Sequence, residues 1–408
     1  MKAVRCLIDK NIVVGVTGGI SAYKTVTLCS RLVKAGARVD VILTDAAAEF
    51  VRPLTFQALT HRPVITEMFS LLQETEIGHV SLGKRADLMI IAPATANTLA
   101  KLAHGFADNM LTTTTLACRN PILVAPAMET AMWDNPATLA NLQILRERGV
   151  CVVGPAEGHL ASGASGTGRM SEPDELFGAA RWILGRRQSM AGVRVVISAG
   201  GTQEAIDPVR FIGNHSSGKM GYALAQAASD RGADVVLIHG PTYLEKIFGV
   251  EDVAVESAEK MHTAVLEAVS NADALIMAAA VADYRPVTST AHKIKKSNEG
   301  MTLNLVRTRD ILSAVAENRD ENNRLKAVIG FAAETESLVA NARDKLNRKR
   351  LDLIVANDVS SDDSGFSVNT NRVTLIDSAG KADELPLLHK QEVAEIIIDR
   401  LMGLIKRN

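Results

Sequence analysis

The stretch GRRQSMAGVRVVISAGGT, residues 185–202, decides how the chain is divided. Its first half is a polar connector. VRVVISAG (193–200) is then apolar at consecutive positions, as a strand covered on both faces must be, and Gly200-Gly201 turns the chain into a polar loop. The N-terminus begins in the same way, with IVVGVT (12–17) running into Gly18-Gly19. A chain of 408 residues that starts twice in this manner reads as two α/β domains, 1–188 and 189–408, joined near residue 189.

Outward from this junction, apolar runs alternate with helical patterns. Strands are predicted at 39–44, 87–93, 121–127 and 149–155 in the first half, and at 233–240, 272–280, 327–333 and 351–357 in the second. Helices are predicted at 20–35, 94–104, 171–184, 217–231, 258–271, 336–349 and 389–403. Repeated βα units imply parallel sheets with right-handed crossovers, so both domains are expected to be doubly wound and Rossmann-like. Near the end, FSVNTNRVTLID (366–377) reads as a hairpin turning on Asn-Thr-Asn.

Composition excludes several classes. Acids (46) and bases (45) nearly cancel and are mixed throughout, so no basic stripe points to nucleic acid. The longest clean apolar run, Ala274 to Ala282, is far too short to span a bilayer. The N-terminal MKAVRCLIDKN has no signal-peptide core. Cys6, Cys29, Cys118 and Cys151 form no CxxC pair, which suggests a reducing cytoplasm and no structural zinc.

FIGNHSSGKMG (211–221) contains Gly213-x4-Gly218-Lys219, close to a phosphate-binding P-loop. A P-loop needs Ser or Thr after the lysine and a strand directly before the first glycine. Here Met220 follows Lys219 and the strand ends near Gly200, so that reading fails twice. What remains is a polar loop entering a helix near Ser217, capped by Ser216 or Ser217, whose free N–H groups suit an anion. AAAVADYRP (278–286) then places Asp283 and Arg285 at the C-terminal end of a buried strand, where open α/β sheets bind ligands. KIKK (293–296) supplies a charge run, and GFAAET (330–335) closes another strand. Lys345 and Lys349 share one helix face. Together with Lys293 they can neutralise a triphosphate without a P-loop.

In order, AGGTQEAIDPVRFIGNHSSGKMG, AAAVADYRP, KIKK, GFAAET and LIVANDVS resemble phosphopantothenate–cysteine ligase over most of residues 193–400. TGGISAYK (17–24), IGHVSL around His79, PATANT (93–98) and PAMETAMW (126–133) resemble the flavin-dependent phosphopantothenoylcysteine decarboxylases, which have a flavodoxin-like fold. The chain therefore resembles the fused bifunctional family of coenzyme A biosynthesis, with the decarboxylase domain first and the ligase second.

For the first domain the resemblance implies FMN held by Gly18, Gly19, Ser21, Thr44, Pro93, Thr95 and Asn97. Gly18, Gly19 and Ser21 precede a helix and suit a flavin phosphate. The family chemistry is oxidation of the substrate thiol to a thioaldehyde, whose C=S accepts the electrons left by departing CO₂, after which the reduced flavin returns the hydride. His79 matches the base that takes the thiol proton. Met128, Glu129 and Met132 match the substrate motif, in which Glu129 stands where the family commonly has Asn. An ionised Glu129 would repel the substrate carboxylate unless burial raised its pKa or it met another part of the substrate. In the flap GHLASGASGTGRM (158–170), Ser162 aligns with a cysteine that some relatives use as a proton donor.

For the second domain the resemblance implies activation of the 4′-phosphopantothenate carboxylate by CTP with Mg²⁺, giving an acyl-cytidylate that the cysteine amine opens. Asn214 matches the residue that converts the acyl-nucleotide, and Lys293 the lysine that activation requires. Arg210 suits a phosphate or carboxylate through its bidentate fork. Ala278, Ala279, Ala280, Asp283, Arg309, Asp310, Ile311, Phe331, Lys345 and Lys349 match nucleotide contacts. His215 reads as loop structure. The family also implies trimeric decarboxylase and dimeric ligase contacts in a dodecamer.

Two other readings compete. A nicotinamide dehydrogenase needs G-x-G-x-x-G after a strand, and neither GVTGGISAYK nor SAGGTQEAID has that spacing. A ligase whose first domain is an FMN-binding regulatory or inactive decarboxylase homologue would account for Glu129 and Ser162.

Overall fold

Two neighbours on one strand are both buried only when both faces of the sheet are covered. Val195, Ile197 and Ala199 pack into one apolar cluster, and Val196, between two of them, packs into another. That alternation organises the computed structural model, which describes residues 3–68, 78–295, 301–319, 322, 324–334, 338–358, 365 and 368–407. The chain divides into two units, Met1–Gly185 and Arg186–Asn408.

The first unit is built on strands β1 (Asn11–Val16), β2 (Arg38–Leu43), β3 (Val64–Ile65), β4 (Leu88–Ala94), β5 (Ile122–Pro126) and β6 (Cys151–Val152). All pairings are parallel, in the order β3-β2-β1-β4-β5-β6. The order reverses between β1 and β4, which opens a crevice at their C-terminal ends. Val13, Met89, Ile91 and Val124 pack on one face against Leu82, Leu99, Leu111 and Leu142 from the covering helices. The two-residue β3 is not visible in the sequence pattern, and 149–155 shortens to two strand residues. The flap takes the form of an antiparallel hairpin, β7 (Ala156–His159) and β8 (Ser165–Arg169).

The second unit continues with β9 (Arg194–Ala199), a small pair β10 (Glu204–Ala205) and β11 (Phe211–Ile212), then β12 (Asp234–His239), β13 (Glu251–Ala254) and β14 (Ala274–Met277). A second pair, β15 (Tyr284–Pro286) and β16 (Leu305–Arg307), precedes β17 (Ala327–Glu334) and β18 (Leu353–Asp358). The last strands are β19 (Thr370–Asn371), β20 (Val373–Asp377), β21 (Ala382–Glu384) and β22 (Leu388–His389). The main sheet runs β13-β12-β9-β14-β17-β18-β20-β21; its first six strands are parallel, and β20 pairs antiparallel with both β18 and β21. Helices Lys219–Ser229 and Lys390–Arg407 cover one face, through Leu224, Ala227, Val393 and Ile397. Helices Ala258–Val269, Ile311–Asn318 and Leu338–Arg348 cover the other, through Val265, Ile311 and Leu346.

Two sequence expectations are corrected. The hairpin on Asn-Thr-Asn does not form: β19 pairs with β22, and β20 pairs with β18 and β21. Residues 366 and 367 of that reading lie outside the described residues. The turn falls after Asp377, whose Oδ1 accepts from the N–H of Ala379 (3.0 Å) and Lys381 (2.9 Å), with Gly380 at φ +82°. An acceptor side chain followed by a glycine at positive φ satisfies the turn amides better than Asn-Thr-Asn does. Helix Lys219–Ser229 is also not capped by Ser216 or Ser217. Gly218 is its N-cap, at φ +80°, with no side-chain cap bond. Among the described residues no helix is long and apolar enough to cross a membrane.

Candidate active sites of the two units

In the first unit the polar residues after β1 are tied to those after β4. The Thr17 hydroxyl donates to the Pro93 carbonyl (2.6 Å) and accepts from the Thr95 N–H (3.2 Å), while Thr25 donates to the Ala92 carbonyl (2.7 Å). Gly18 lies so close to the next turn that a Cβ there would sit 2.5 Å from the Ala46 Cβ. Gly19 is open by comparison, the nearest atom to its ideal Cβ being Pro93 Cγ at 3.9 Å. Thr44 donates to the Val16 carbonyl (3.3 Å) and caps Asp45–Ala48, and Thr95 caps Ala96–His104 by accepting from the Thr98 N–H (3.3 Å). Ser21 is the N-cap of Ala22–Lys34 but makes no side-chain cap bond, and Asn97 is exposed. Gly18, Gly19, Ser21, Thr44, Pro93, Thr95 and Asn97 thus gather at one rim.

The PAMETAMW segment joins that rim. The Ala127 N–H donates to the Ala94 carbonyl (3.1 Å), and the Met128 N–H to the Gly168 carbonyl of β8 (2.9 Å). A Cβ at Gly168 would fall 2.2 Å from the Met128 oxygen, and one at Gly166 2.5 Å from Thr130 Oγ1. The hairpin therefore lies directly on residues 128–130. Glu129 is the N-cap of Thr130–Trp133, its Oε2 accepting from the Ala131 N–H (2.5 Å). Met132 is 50% exposed. Ser162 is exposed in the hairpin turn, which the Leu160 N–H to Ala164 carbonyl bond closes (2.8 Å). His79 is half-buried at the start of helix Gly78–Arg85, and no hydrogen bond among the described residues joins it to the strand ends.

In the second unit the loops after β9 and β14 are stitched together. The Ala280 N–H donates to the Gly200 carbonyl (2.8 Å), and the Ala280 carbonyl accepts from the Thr202 N–H (3.3 Å). Asn214 Nδ2 also donates to the Ala280 carbonyl (2.6 Å), while its Oδ1 accepts from the Ser216 N–H (3.0 Å). Beside them lies a cavity of about 740 Å³. Ala278, Ala279, Ala280, Asp283, Arg309, Asp310, Ile311, Phe331, Lys345 and Lys349 all line it. Lys345 Nζ donates to the Phe331 carbonyl (2.8 Å), and Lys349 Nζ to Asp310 Oδ2 (2.6 Å) and Ser313 Oγ (2.6 Å). Burial pushes the Asp310 carboxyl up, but Lys349 and the Ser313 N–H more than offset it, so the group lies below its ordinary range.

Arg210, Asn214 and Lys293 are not among the residues that line the cavity. The Arg210 fork is taken by Asp207, at 2.5 Å from Nη2 and 3.0 Å from Nε, and Nη2 also donates to the Ile294 carbonyl (2.8 Å). The Ile294 N–H returns a bond to Asp207 Oδ2 (3.1 Å). Arg210, then the Val209, Ile294 and Arg210 amides, hold the Asp207 carboxyl well below the carboxylate range. The pair fixes the backbone next to the exposed Lys293, whereas Lys296 of the same run lies outside the described residues.

Sequence reasoning missed several cavity residues. Asn357 lines the cavity with a buried Oδ1 that has no partner among the described residues. Asn371 and Lys390 also line it, and the Lys390 ammonium donates to the Gly365 and Val368 carbonyls (2.7 Å each). Burial, then the nearby Lys219, pull Lys390 down to about 8. Among the described residues no group of three or more His, Cys, Asp or Glu side chains could hold a metal ion.

The model of the family named Flavoprotein matches residues 2–181, and that of the DNA/pantothenate metabolism flavoprotein C-terminal domain matches residues 190–404. The chain is 46% identical over 402 residues to the coenzyme A biosynthesis bifunctional protein CoaBC of Bacillus subtilis (strain 168), covering 98% of each chain. It is 45% identical over 407 residues to the protein of that name from Mycobacterium tuberculosis (strain ATCC 25618 / H37Rv), covering 97% of each. A crystal structure of the C-terminal domain of a CoaBC protein is 41% identical, covering 54% of this chain and 98% of that one, with a TM-score of 0.46.

Proposed function

The chain belongs to the family of bifunctional coenzyme A biosynthesis proteins, and from that premise we propose how each unit works. It joins cysteine to 4′-phosphopantothenate and decarboxylates the product to 4′-phosphopantetheine. We assign the ligation to Arg186–Asn408 and the decarboxylation to Met1–Gly185.

The observation that carries the ligase assignment is the convergence of Ala278–Ala280, Asp283, Asp310, Phe331, Lys345 and Lys349 on one cavity. CTP fits it. Lysines offset the phosphate charge that builds as the carboxylate attacks the α-phosphorus. The orphaned Asn357 Oδ1 needs an N–H donor, which the exocyclic amine of cytosine, or of adenine, supplies. Asp283 suits Mg²⁺, which typically binds through one or two carboxylates and substrate phosphates and needs no dedicated cage. Asn214, held on the Ala280 carbonyl, orients the acyl carbonyl for the cysteine amine without competing as a nucleophile. Lys293 stabilises charge during activation, on a loop that Asp207 and Arg210 hold.

The rim of the first unit fits FMN. Gly19 leaves room beside Pro93, Ser21 has a hydroxyl not used by its own helix, and Asn97 presents an amide donor. Bound there, FMN supplies the redox chemistry that decarboxylation of a cysteinyl group requires. Met128 and the hairpin hold the substrate, and His79 takes the thiol proton. Self-association, trimeric through the first unit and dimeric through the second, belongs to the same reading. In the second unit the small pairs β10–β11 and β15–β16 expose Phe211 and Leu305.

The test is one incubation of the purified chain with 4′-phosphopantothenate, cysteine, CTP and Mg²⁺, read by mass spectrometry. The expected product is 4′-phosphopantetheine. A reaction that stops at phosphopantothenoylcysteine means that the first unit is inactive or lacks its flavin, which added FMN distinguishes, and no product with either CTP or ATP overturns the ligase assignment.

A further inference from the structure

Lys24 is the last residue of TGGISAYK, in the first turn of helix Ala22–Lys34, and is only 5% exposed. A buried ammonium persists only where acceptors compensate it. Its acceptors come from far along the chain. Lys24 Nζ donates to the Met170 carbonyl (3.0 Å) and to Glu172 Oε1 (2.8 Å), and the same Glu172 oxygen takes Arg169 Nη2 (2.7 Å). Lys24 holds the Glu172 carboxyl below its ordinary range.

These partners stand at the C-terminal root of the hairpin β7–β8. Two residues before Met170, the Gly168 carbonyl receives the Met128 N–H. The strand that covers the substrate motif is thus pinned from two sides: by Met128, and by a lysine on the helix whose entry turn, Gly18 to Ser21, takes the flavin phosphate in the reading given above. Only two residues, Ala22 and Tyr23, separate Ser21 from Lys24.

We infer that Lys24 is a positioning residue for decarboxylation, coupling the seating of the flavin phosphate at Gly18–Ser21 to the placement of the hairpin over Met128 and Glu129. The inference rests on the FMN reading of the first unit. It assigns Lys24 no contact with the reacting atoms. A merely structural lysine would support the fold equally with and without the flavin.

The test uses the full chain and the variants Lys24→Met, Lys24→Arg and Glu172→Gln. The first readout needs no turnover: amide hydrogen exchange across residues 160–168, with and without FMN. Wild type should gain protection on FMN binding, and Lys24→Met should bind FMN yet lose that gain. The second readout is the steady-state decarboxylation of 4′-phosphopantothenoylcysteine. Lys24→Met should raise KM about tenfold or more, the order of a lost charge-assisted hydrogen bond, with a smaller change in kcat. Lys24→Arg should restore much of it. Glu172→Gln, at an exposed side chain that leaves the Met170 bond in place, should have a smaller effect in the same direction. An FMN-loaded Lys24→Met chain with wild-type KM and a wild-type exchange gain overturns the inference alone. A wild-type chain that takes up no FMN overturns the site reading and the inference with it.

Discussion

Gly201→Ala offers a test of Asn214 that leaves Asn214 in place. The ideal Cβ at residue 201 would fall 2.2 Å from Asn214 Oδ1, 2.9 Å from Cγ and 3.1 Å from Nδ2. Gly201 does not have a left-handed φ, so alanine is compatible with the backbone and the carboxamide must give way. To regain an ordinary contact of 3.4 Å the Oδ1 must withdraw by more than 1 Å. That movement breaks the bond to the Ala280 carbonyl (2.6 Å) and the one from the Ser216 N–H (3.0 Å). Each neutral hydrogen bond contributes about 1 kcal/mol, and water replaces part of it at this exposed side chain, so the stability loss stays below about 2 kcal/mol. The rate should suffer far more, since a misplacement of about 1 Å at a reacting centre costs on the order of 100-fold. The assay follows ligation by mass spectrometry, with decarboxylation of synthetic phosphopantothenoylcysteine as the control for the first unit. Gly201→Ala should accumulate the acyl-cytidylate, as Asn214→Ala should, and leave decarboxylation intact. The double variant should be no slower than Asn214→Ala alone, because both changes remove one interaction. Ligation by Gly201→Ala at the wild-type rate, or losses that multiply in the double variant, would refute the placement of Asn214.

Three further outcomes are expected. Lys293→Gln should abolish acyl-cytidylate formation while moving stability by no more than about 0.5 kcal/mol, because the side chain is exposed; chemical denaturation and a pyrophosphate-release assay check the two halves. Gly168→Ala should cut decarboxylation by about two orders of magnitude and spare ligation, since its φ of +153° disfavours alanine and the new Cβ would meet the Met128 carbonyl at 2.2 Å; paired assays on one preparation decide it. Burial, then Lys219, lower Lys390 from 10.5 to about 8, and the unfolded chain keeps its proton to higher pH. The destabilising contribution is therefore full below pH 8 and is relieved as pH rises from about 8 towards 10.5. The unfolding free energy of the wild type should gain on Lys390→Met between pH 7 and pH 9.5, and parallel curves would count against the shift.

The parts of the molecule that sequence made legible are those where a local pattern has one physical solution. The run VRVVISAG must be a doubly covered strand, and β9 sends Val195 and Val196 to opposite clusters. Strand β13 escaped because EDVA is a half-exposed edge with no apolar run to mark it. The residues proposed to contact the nucleotide came from the resemblance, and what the structure adds is that Ala278 to Asp283 after β14, Phe331 on β17, and Lys345 and Lys349 beyond it line one cavity. Asn357 and Lys390 were not legible. Lys390 begins an amphipathic helix and reads as solvated until the chain around Gly365 and Val368 folds over it. The false hairpin arose from weighing Asn-Thr-Asn without the stronger turn of Asp377 to Gly380.

Glu129 shows how a local demand can look like a chemical departure. As charge alone, glutamate in place of asparagine is a repulsion aimed at the substrate carboxylate. The carboxylate has a nearer partner: it accepts from the Ala131 N–H and starts Thr130–Trp133. An asparagine side chain satisfies such an N–H equally well, so both residues meet the structural need at this position. What differs is the charge left beside Met128 and the hairpin. In the proposed substrate site such a position would discriminate among the parts of the substrate, since a capped carboxylate still has lone pairs for an amide N–H or a hydroxyl and none of the donors that a second carboxylate requires.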